Sequence, residues 1–185
     1  MPSAEHIESS ANSADAYGEA VEGFRHAMSK YPATVNVITT GSGEARRGFT
    51  ATAVFSATMD PPAIGICVNK SVDAHDALRP DSSFCVNVLA VEQQGIANRF
   101  AARDGSKGAS RFEHDTWDIL VTGSPCLRGA LANVDCKVSQ FIDIGTHTLI
   151  LGDVVSVRSD RVQNPLLYFD RGFRQLATES LEMGE

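Results

Sequence analysis

No run of about 18 apolar residues occurs anywhere in the sequence, so nothing in it reads as a membrane-spanning helix. The N-terminus has neither the basic n-region nor the apolar h-region of a secretory signal. The four cysteines (Cys67, Cys85, Cys126, Cys136) include no C-x-x-C pair, and each sits in an apolar context. A reduced, cytoplasmic protein is therefore expected. The five histidines are scattered without ligand spacing, which removes a zinc site. Lysine and arginine are absent from residues 1–22 and from 177–185, where eight of the 23 acids lie. The formal charge of −7 thus belongs to the ends, and residues 23–176 carry a net +1. A chain without a basic footprint is not expected to bind nucleic acid.

What is present suits a single domain: 185 residues, 43% of them hydrophobic, enough for a core without a staple. Residues 1–16 are small, polar and acidic and read as a mobile tail, as do the acidic residues 177–185. From Tyr17, Val21, Phe24 and Met28 recur at helical spacing until Pro32 stops the helix. Residues 34–40 are β-branched and read as a strand, turning at Gly41–Glu44 into a second extended stretch over 49–56. Residues 63–68, apolar throughout, read as a central strand. A short helix is expected over 72–78, a strand over 84–89 and a helix over 92–102. The Gly- and Ser-rich residues 103–125 read as an irregular connection. Two long strands follow, 131–142 and 147–158, and residues 165–169 close the domain. Many strands, few helices and no βαβ alternation point to a mainly β fold with added helices, of barrel type.

The usual phosphate loops and hydrolase signatures are missing: no G-x-G-x-x-G after a strand, no G-x-x-x-x-G-K-[ST], no H-E-x-x-H and no G-x-S-x-G. What remains is segments rich in small hydroxyl residues. Gly48–Ser56 would let a flat ligand approach the backbone, or would simply be a tightly packed strand. Cys67–Ser71 ends an apolar strand and starts a helix, which Asn69 or Ser71 could cap and whose start could attract a phosphate.

Taken in order, Phe24-Arg25-x-Ala27-Met28, Val35-x-Val37-Ile38-Thr39-Thr40, Gly48-x-Thr50-Ala51-Thr52-Ala53-Val54-x-Ser56, Asp60-Pro61-Pro62, Cys67-Val68-Asn69, Phe84–Leu89, Arg111-Phe112, Gly145-Thr146-His147 and Pro165–Tyr168 with Arg171 and Phe173 resemble the short-chain flavin reductase family. These are the reductase partners of two-component flavin-dependent monooxygenases. The resemblance covers residues 22–176 and implies an FMN-binding split β-barrel, usually a homodimer. It implies hydride transfer from NADH or NADPH to FMN or FAD, with the reduced flavin passed to a separate oxygenase. The alternative is a flavin-binding electron carrier with little turnover.

By the same resemblance, Thr50, Ala51, Thr52 and Ala53 line the flavin ring, with Ser56 at the end of that stretch. Cys67, Val68 and Asn69 contact the ring or ribityl chain, and Ser71 contacts the phosphate. Phe100 and Ala101 close over the flavin tail. Arg171 meets a phosphate or adenylate, or else pairs with Asp170. His147 is the catalytic candidate, positioning the nicotinamide carboxamide or stabilising reduced flavin. Trp117 and Phe112 are expected to serve packing. Arg46 and Arg47 are expected to be loop charges rather than cofactor contacts.

Overall fold

The chain's computed structural model describes residues 4–159 and 164–177, with residues 4–14 as helix backbone alone. The acidic segment 178–185, expected to be a tail, lies outside the described residues. Helix α1 (Ala4–Ser29) begins well before Tyr17 and ends before Pro32, since a proline ring cannot continue the helix. Its stripe is not covered by the body: Phe24 and Met28 are 67% and 47% exposed. Among the described residues no helix is long and apolar enough to cross a membrane.

The β-branched run after the helix is two strands, β1 (Ala33–Thr34) and β2 (Asn36–Thr40). The break falls at Val35, whose N–H donates to the Leu166 carbonyl and whose carbonyl accepts from the Leu89 N–H. Strand β2 turns into β3 (Arg47–Ala51) as the expected hairpin, but the extended stretch then breaks at Thr52-Ala53 before β4 (Val54–Met59). There follow β5 (Pro62–Asn69), β6 (Ser83–Val88), α2 (Gln94–Phe100), β7 (Trp117–Ile119), β8 (Pro125–Leu127), β9 (Ala132–Ile144), β10 (His147–Arg158), β11 (Leu167–Phe169) and β12 (Gly172–Arg174).

The main sheet is antiparallel and seven-stranded, in the order β3-β2-β6-β9-β10-β5-β4. Strands β3 and β4 are its two edges, yet only Thr52 and Ala53 join them. Laid flat, seven strands would span about 29 Å, whereas three consecutive Cα steps reach at most about 11 Å. The sheet must therefore curl until its edges approach at this corner. Among the described residues no β3–β4 ladder closes it. Strand β5, expected to be central, is next to the edge. Its apolar run is explained by the curl, which buries Ile66 and Val68 completely. The helix expected over 72–78 is only a 3-10 turn (His75–Ala77), too short to repay nucleation of an α-helix.

Two cores result. One fills the inside of the curl with Ile38, Ile66, Val68, Leu78, Phe84, Val86 and Ile150. The other lies under α2 and β8, built on Val37, Leu89, Phe100, Phe112, Leu127 and Leu166. There Phe100, Phe112 and Trp117 form a triangle with ring centroids 4.8–5.5 Å apart, the packing role expected for Phe112 and Trp117. Gly48 lets Phe100 lie against β3: a Cβ there would meet its ring at 2.7 Å and the Ile38 carbonyl at 2.8 Å. Asn87 ties the second core to the sheet, donating to the Val37 carbonyl and accepting from the Leu127 N–H and Asn133.

Candidate functional site

The corner where the sheet edges approach carries the small-residue segment singled out above, with a cleft on either side. The first, of about 630 Å³, includes Thr50, Ser71, Asp73, Phe100, Ala101, Ser106, Lys107 and Arg111 in its lining. The second, of about 700 Å³, lies between α1, the β3–β4 corner and the β11–β12 turn. Its lining includes Arg25, Tyr31, Thr52, Ala53, Tyr168 and Arg171. The Thr50–Ala53 segment is thus the wall the two clefts share.

In the first cleft the Thr50 hydroxyl donates to the Ala97 carbonyl at 2.7 Å, holding α2 on β3. Its proton is committed, and its lone pairs remain available as acceptors. Asn69 caps the turn that follows β5: its Oδ1 accepts from the Ser71 N–H at 2.9 Å and the Ser71 hydroxyl at 2.8 Å. Arg111, with its side chain 7% exposed, donates to the Gly48 and Ser106 carbonyls and pairs with Asp73 at 3.2 Å. It therefore stitches β3, the Ser71–His75 turn and the 106–111 loop together beneath the cleft. Lys107 stands above it with no ion-pair partner among the described residues. The Lys107 ammonium, with the Asp73-paired Arg111 behind it, suits this cleft to an anion, while the hydroxyl protons of Ser71 and Ser106 are given to Asn69 and to Asp104.

In the second cleft Arg171 is exposed and holds a left-handed backbone, φ +60°, uncommon for a side chain of its size. The alternative pairing with Asp170 is not formed; Asp170 bonds Lys30 at 2.7 Å, which holds its carboxyl below the usual range. Arg25 is already paired with Glu22 at 2.6 Å.

A third group stands on the outer face of the sheet. The register places His147 opposite Asn69 and Ile144, and Leu149 opposite Cys67 and Ile142. Side chains directly opposite share a face, so Cys67, Asn69 and His147 line up with the exposed Ile142 and Ile144. The Cys67 N–H donates to the Ala53 carbonyl at 3.0 Å, bringing this row against the corner. His147 Nδ1 lies 2.9 Å from the Thr146 hydroxyl, leaving Nε2 free of a partner among the described residues. The row is anchored from behind: Thr148 donates to Asp143, Lys70 pairs with Asp143 at 3.3 Å, and His75 Nε2 meets the Thr148 hydroxyl at 3.0 Å.

Three of the expected contact residues turn their side chains away from this row, although the contact expected of Ala51 is through its backbone. Val68 is fully buried and Ala51 is 7% exposed, so both side chains face the first core. Ser56 pairs with Ile64 in the register, on the opposite face of the sheet from Cys67, Asn69 and His147. Arg46 and Arg47 are spent on structure, as expected: Arg46 lies over Phe112 at 4.9 Å, and Arg47 donates to the Glu44 and Arg46 carbonyls. Sequence reading had no role for Asp73, Ser106, Lys107, Tyr31 or Tyr168. Arg111 stood in a matching stretch, but its partners lie 38 and 63 residues away in sequence.

Comparison with known proteins gives one consistent result. Residues 28–177 match the family model described as flavin reductase like domain. The chain is 40% identical over 157 residues to the FMN reductase (NADH) RutF of Pseudomonas syringae pv. syringae, covering 85% of this chain and 87% of that protein. Among solved structures it is similar to BorF, the flavin reductase component of a bacterial two-component tryptophan halogenase. That match has 31% identity and a TM-score of 0.78, over 86% of this chain and 99% of BorF. It is also similar to the Streptomyces globisporus NADH:FAD oxidoreductase SgcE6, solved with NAD and FAD fragments. There the identity is 29% and the TM-score 0.77, over 85% of this chain and 93% of that one.

Proposed function

Because the chain belongs to the flavin reductase like domain family, we propose that it is an NAD(P)H-dependent flavin reductase acting on FMN or FAD, with the reduced flavin passed to a separate oxygenase component. The observation that carries the reading is the shared corner: Thr50 lines an anion-suited cleft, Thr52 and Ala53 line a second cleft of similar size, and the Cys67–Ala53 hydrogen bond draws the strand row that carries His147 toward that corner. Hydride transfer needs the two rings in contact, so they meet over the exposed Thr52-Ala53 rim where the clefts approach.

The residues fit the cofactors. Lys107 holds the flavin phosphate, with Arg111 beneath adding charge and rigidity, and the Ser71 and Ser106 hydroxyls can join it by turning from Asn69 and Asp104. Phe100 and Ala101 flank the tail, and Thr50 offers lone pairs to a ring N–H. When bound, flavin and nicotinamide supply the hydride chemistry themselves, so no side-chain nucleophile is required. Arg171 receives an anionic group of the donor, and Tyr31 and Tyr168 give its rings apolar surface. NADH is the donor named for both RutF and SgcE6, and we assign it here. His147 presents Nε2 to the polar edge of the donor's carboxamide; its task is to orient the donor.

The curled sheet is the open form of a split barrel, and the functional body is residues 17–176. A homodimer covers the outer sheet face, where Phe55, Ile142 and Ile144 are 47%, 44% and 53% exposed. The four free cysteines suit the cytoplasm. The test is steady-state oxidation of NADH and NADPH with FMN and FAD in excess, followed by loss of reduced-nicotinamide absorbance. Turnover with reversibly bound flavin is expected. No oxidation in any combination would sink the proposal, and yellow protein that survives dialysis without turning over would favour the carrier.

A further inference from the structure

Two of the four cysteines meet where the second core joins the sheet. Cys85 on β6 and Cys126 on β8 are both 0% exposed, and their sulfurs lie 3.4 Å apart. That is an S–H···S contact, little more than an ångström beyond a covalent S–S bond. The surroundings hold the pair in place. Thr39 on β2 donates to the Pro125 carbonyl, and the Leu127 N–H donates to Asn87 Oδ1, so β8 is fastened on either side of Cys126. Cys126 also approaches the Ser124 carbonyl, and Cys85 the Val86 carbonyl and Asn87 Oδ1. The charged groups that bear on the pair are Asp135, opposite Cys85 in the register, and Arg158.

We propose that Cys85 and Cys126 are a peroxide-sensitive dithiol that closes to an intramolecular disulfide, stapling β8 to β6. The peroxide source rests on the proposed function: reduced flavin that meets dioxygen before reaching an oxygenase is oxidised, and the dioxygen becomes hydrogen peroxide. Access comes from above. Strands β7 and β8 pair in a sheet only with each other, and local opening of this unit from the body admits peroxide to the sulfurs. The end of β7 and the segment after it expose Ile119 and Val121 at 67% and 69%.

The chemistry balances without a further reagent. The Cys126 thiolate attacks one peroxide oxygen; the S–O bond forms as the O–O bond breaks, and hydroxide leaves. The Cys85 sulfur then attacks the Cys126 sulfenic sulfur, the S–O bond breaks, and that hydroxide leaves as water with the Cys85 proton. Two thiols and one hydrogen peroxide give one disulfide and two waters. The roles follow from the contact itself: sharing a proton with Cys126, together with burial, raises the Cys85 thiol, and the same contact lowers Cys126. The remaining two cysteines have no such neighbour. Burial pushes Cys136 up to about 12, and Cys67 is half-buried on the outer sheet face.

The experiment uses the full chain with flavin bound and adds hydrogen peroxide directly, so its outcome does not depend on reductase turnover. After exposure the protein is denatured, its remaining thiols are alkylated, and it is digested with trypsin without reduction. The expected result is the peptide 71–99 joined to the peptide 112–128, lighter by two hydrogen atoms than the sum of the two, in most chains. Dithiothreitol should release them, and the joined form should be absent from Cys126→Ser. Full alkylation of Cys85 and Cys126 after peroxide, or oxidation confined to Cys67, would overturn the proposal. A second reading guards against a cross-link made only after unfolding. Backbone amides of 117–127 should exchange more slowly in the oxidised native protein than in the reduced one, and equal exchange would also overturn it.

Discussion

His147 can orient a ligand because only one of its ring nitrogens is engaged. The Thr146 hydroxyl beside Nδ1 fixes the ring, and Nε2 is left for the site. Losing one hydrogen bond of this kind costs about 1 kcal/mol, so His147→Ala should lower kcat/KM for NADH about fivefold. Flavin binding should be little changed, and steady-state kinetics with a separate flavin titration reads both. An unchanged kcat and KM for the donor would remove the assignment. Phe100 shows a residue with two duties: it lines the first cleft and is one corner of the aromatic triangle. Phe100→Ala should therefore destabilise the fold by about 3–5 kcal/mol, measured by urea denaturation, whereas Phe100→Leu should cost far less. The two roles make Phe100→Ala a poor probe of binding, and Lys107, which is exposed at the cleft, a better one.

Elements decide how the clefts divide the work. Lys107 belongs to the 106–111 loop and Arg171 to the β11–β12 turn, on opposite sides of the Thr50–Ala53 wall. Lys107→Ala should raise the dissociation constant for flavin and leave the KM for NADH nearly unchanged. Arg171→Ala should do the reverse; fluorescence titration and steady-state kinetics would show a crossed pattern, and equal effects from both would merge the clefts into one site. The end of β5 and the start of β10 are clasped by Asp143. The Thr148 hydroxyl and then the Lys70 ammonium favour its charged form, so its carboxyl is held below the ordinary 3.8. A lowered carboxyl contributes stability that is complete above the ordinary value and is lost as pH falls through the folded value. Amide exchange at 146–148 should therefore accelerate, beyond its normal pH trend, only below pH 3.8, and Asp143→Asn should abolish that step.

Across the whole molecule, charge and shape separate the ends from the body. The body carries +1 where two anionic cofactors are proposed to bind, and the net negative charge lies at the termini. Removing residues 1–16 shortens α1 but leaves Arg25, Met28 and Tyr31 at the second cleft. Flavin reduction should survive that truncation; a large loss in NADH oxidation would mean that the first half of α1 belongs to the working body. Much of this architecture was legible from local pattern. Strand β10 falls on the residues read as extended, 147–158, the β2–β3 hairpin forms at its glycine turn, and the ordered motifs indicated the family. Those features depend on neighbours in sequence, through side-chain period and turn chemistry. The break at Thr52-Ala53, the edge position of β4, the inward turn of Val68, the face taken by Ser56, and the meeting of Lys107 and Arg111 with Ser71 were not legible. Each depends on the curl of a seven-stranded sheet, which brings together segments dozens of residues apart, and only the tertiary structure decides which side chains that curl turns toward the clefts.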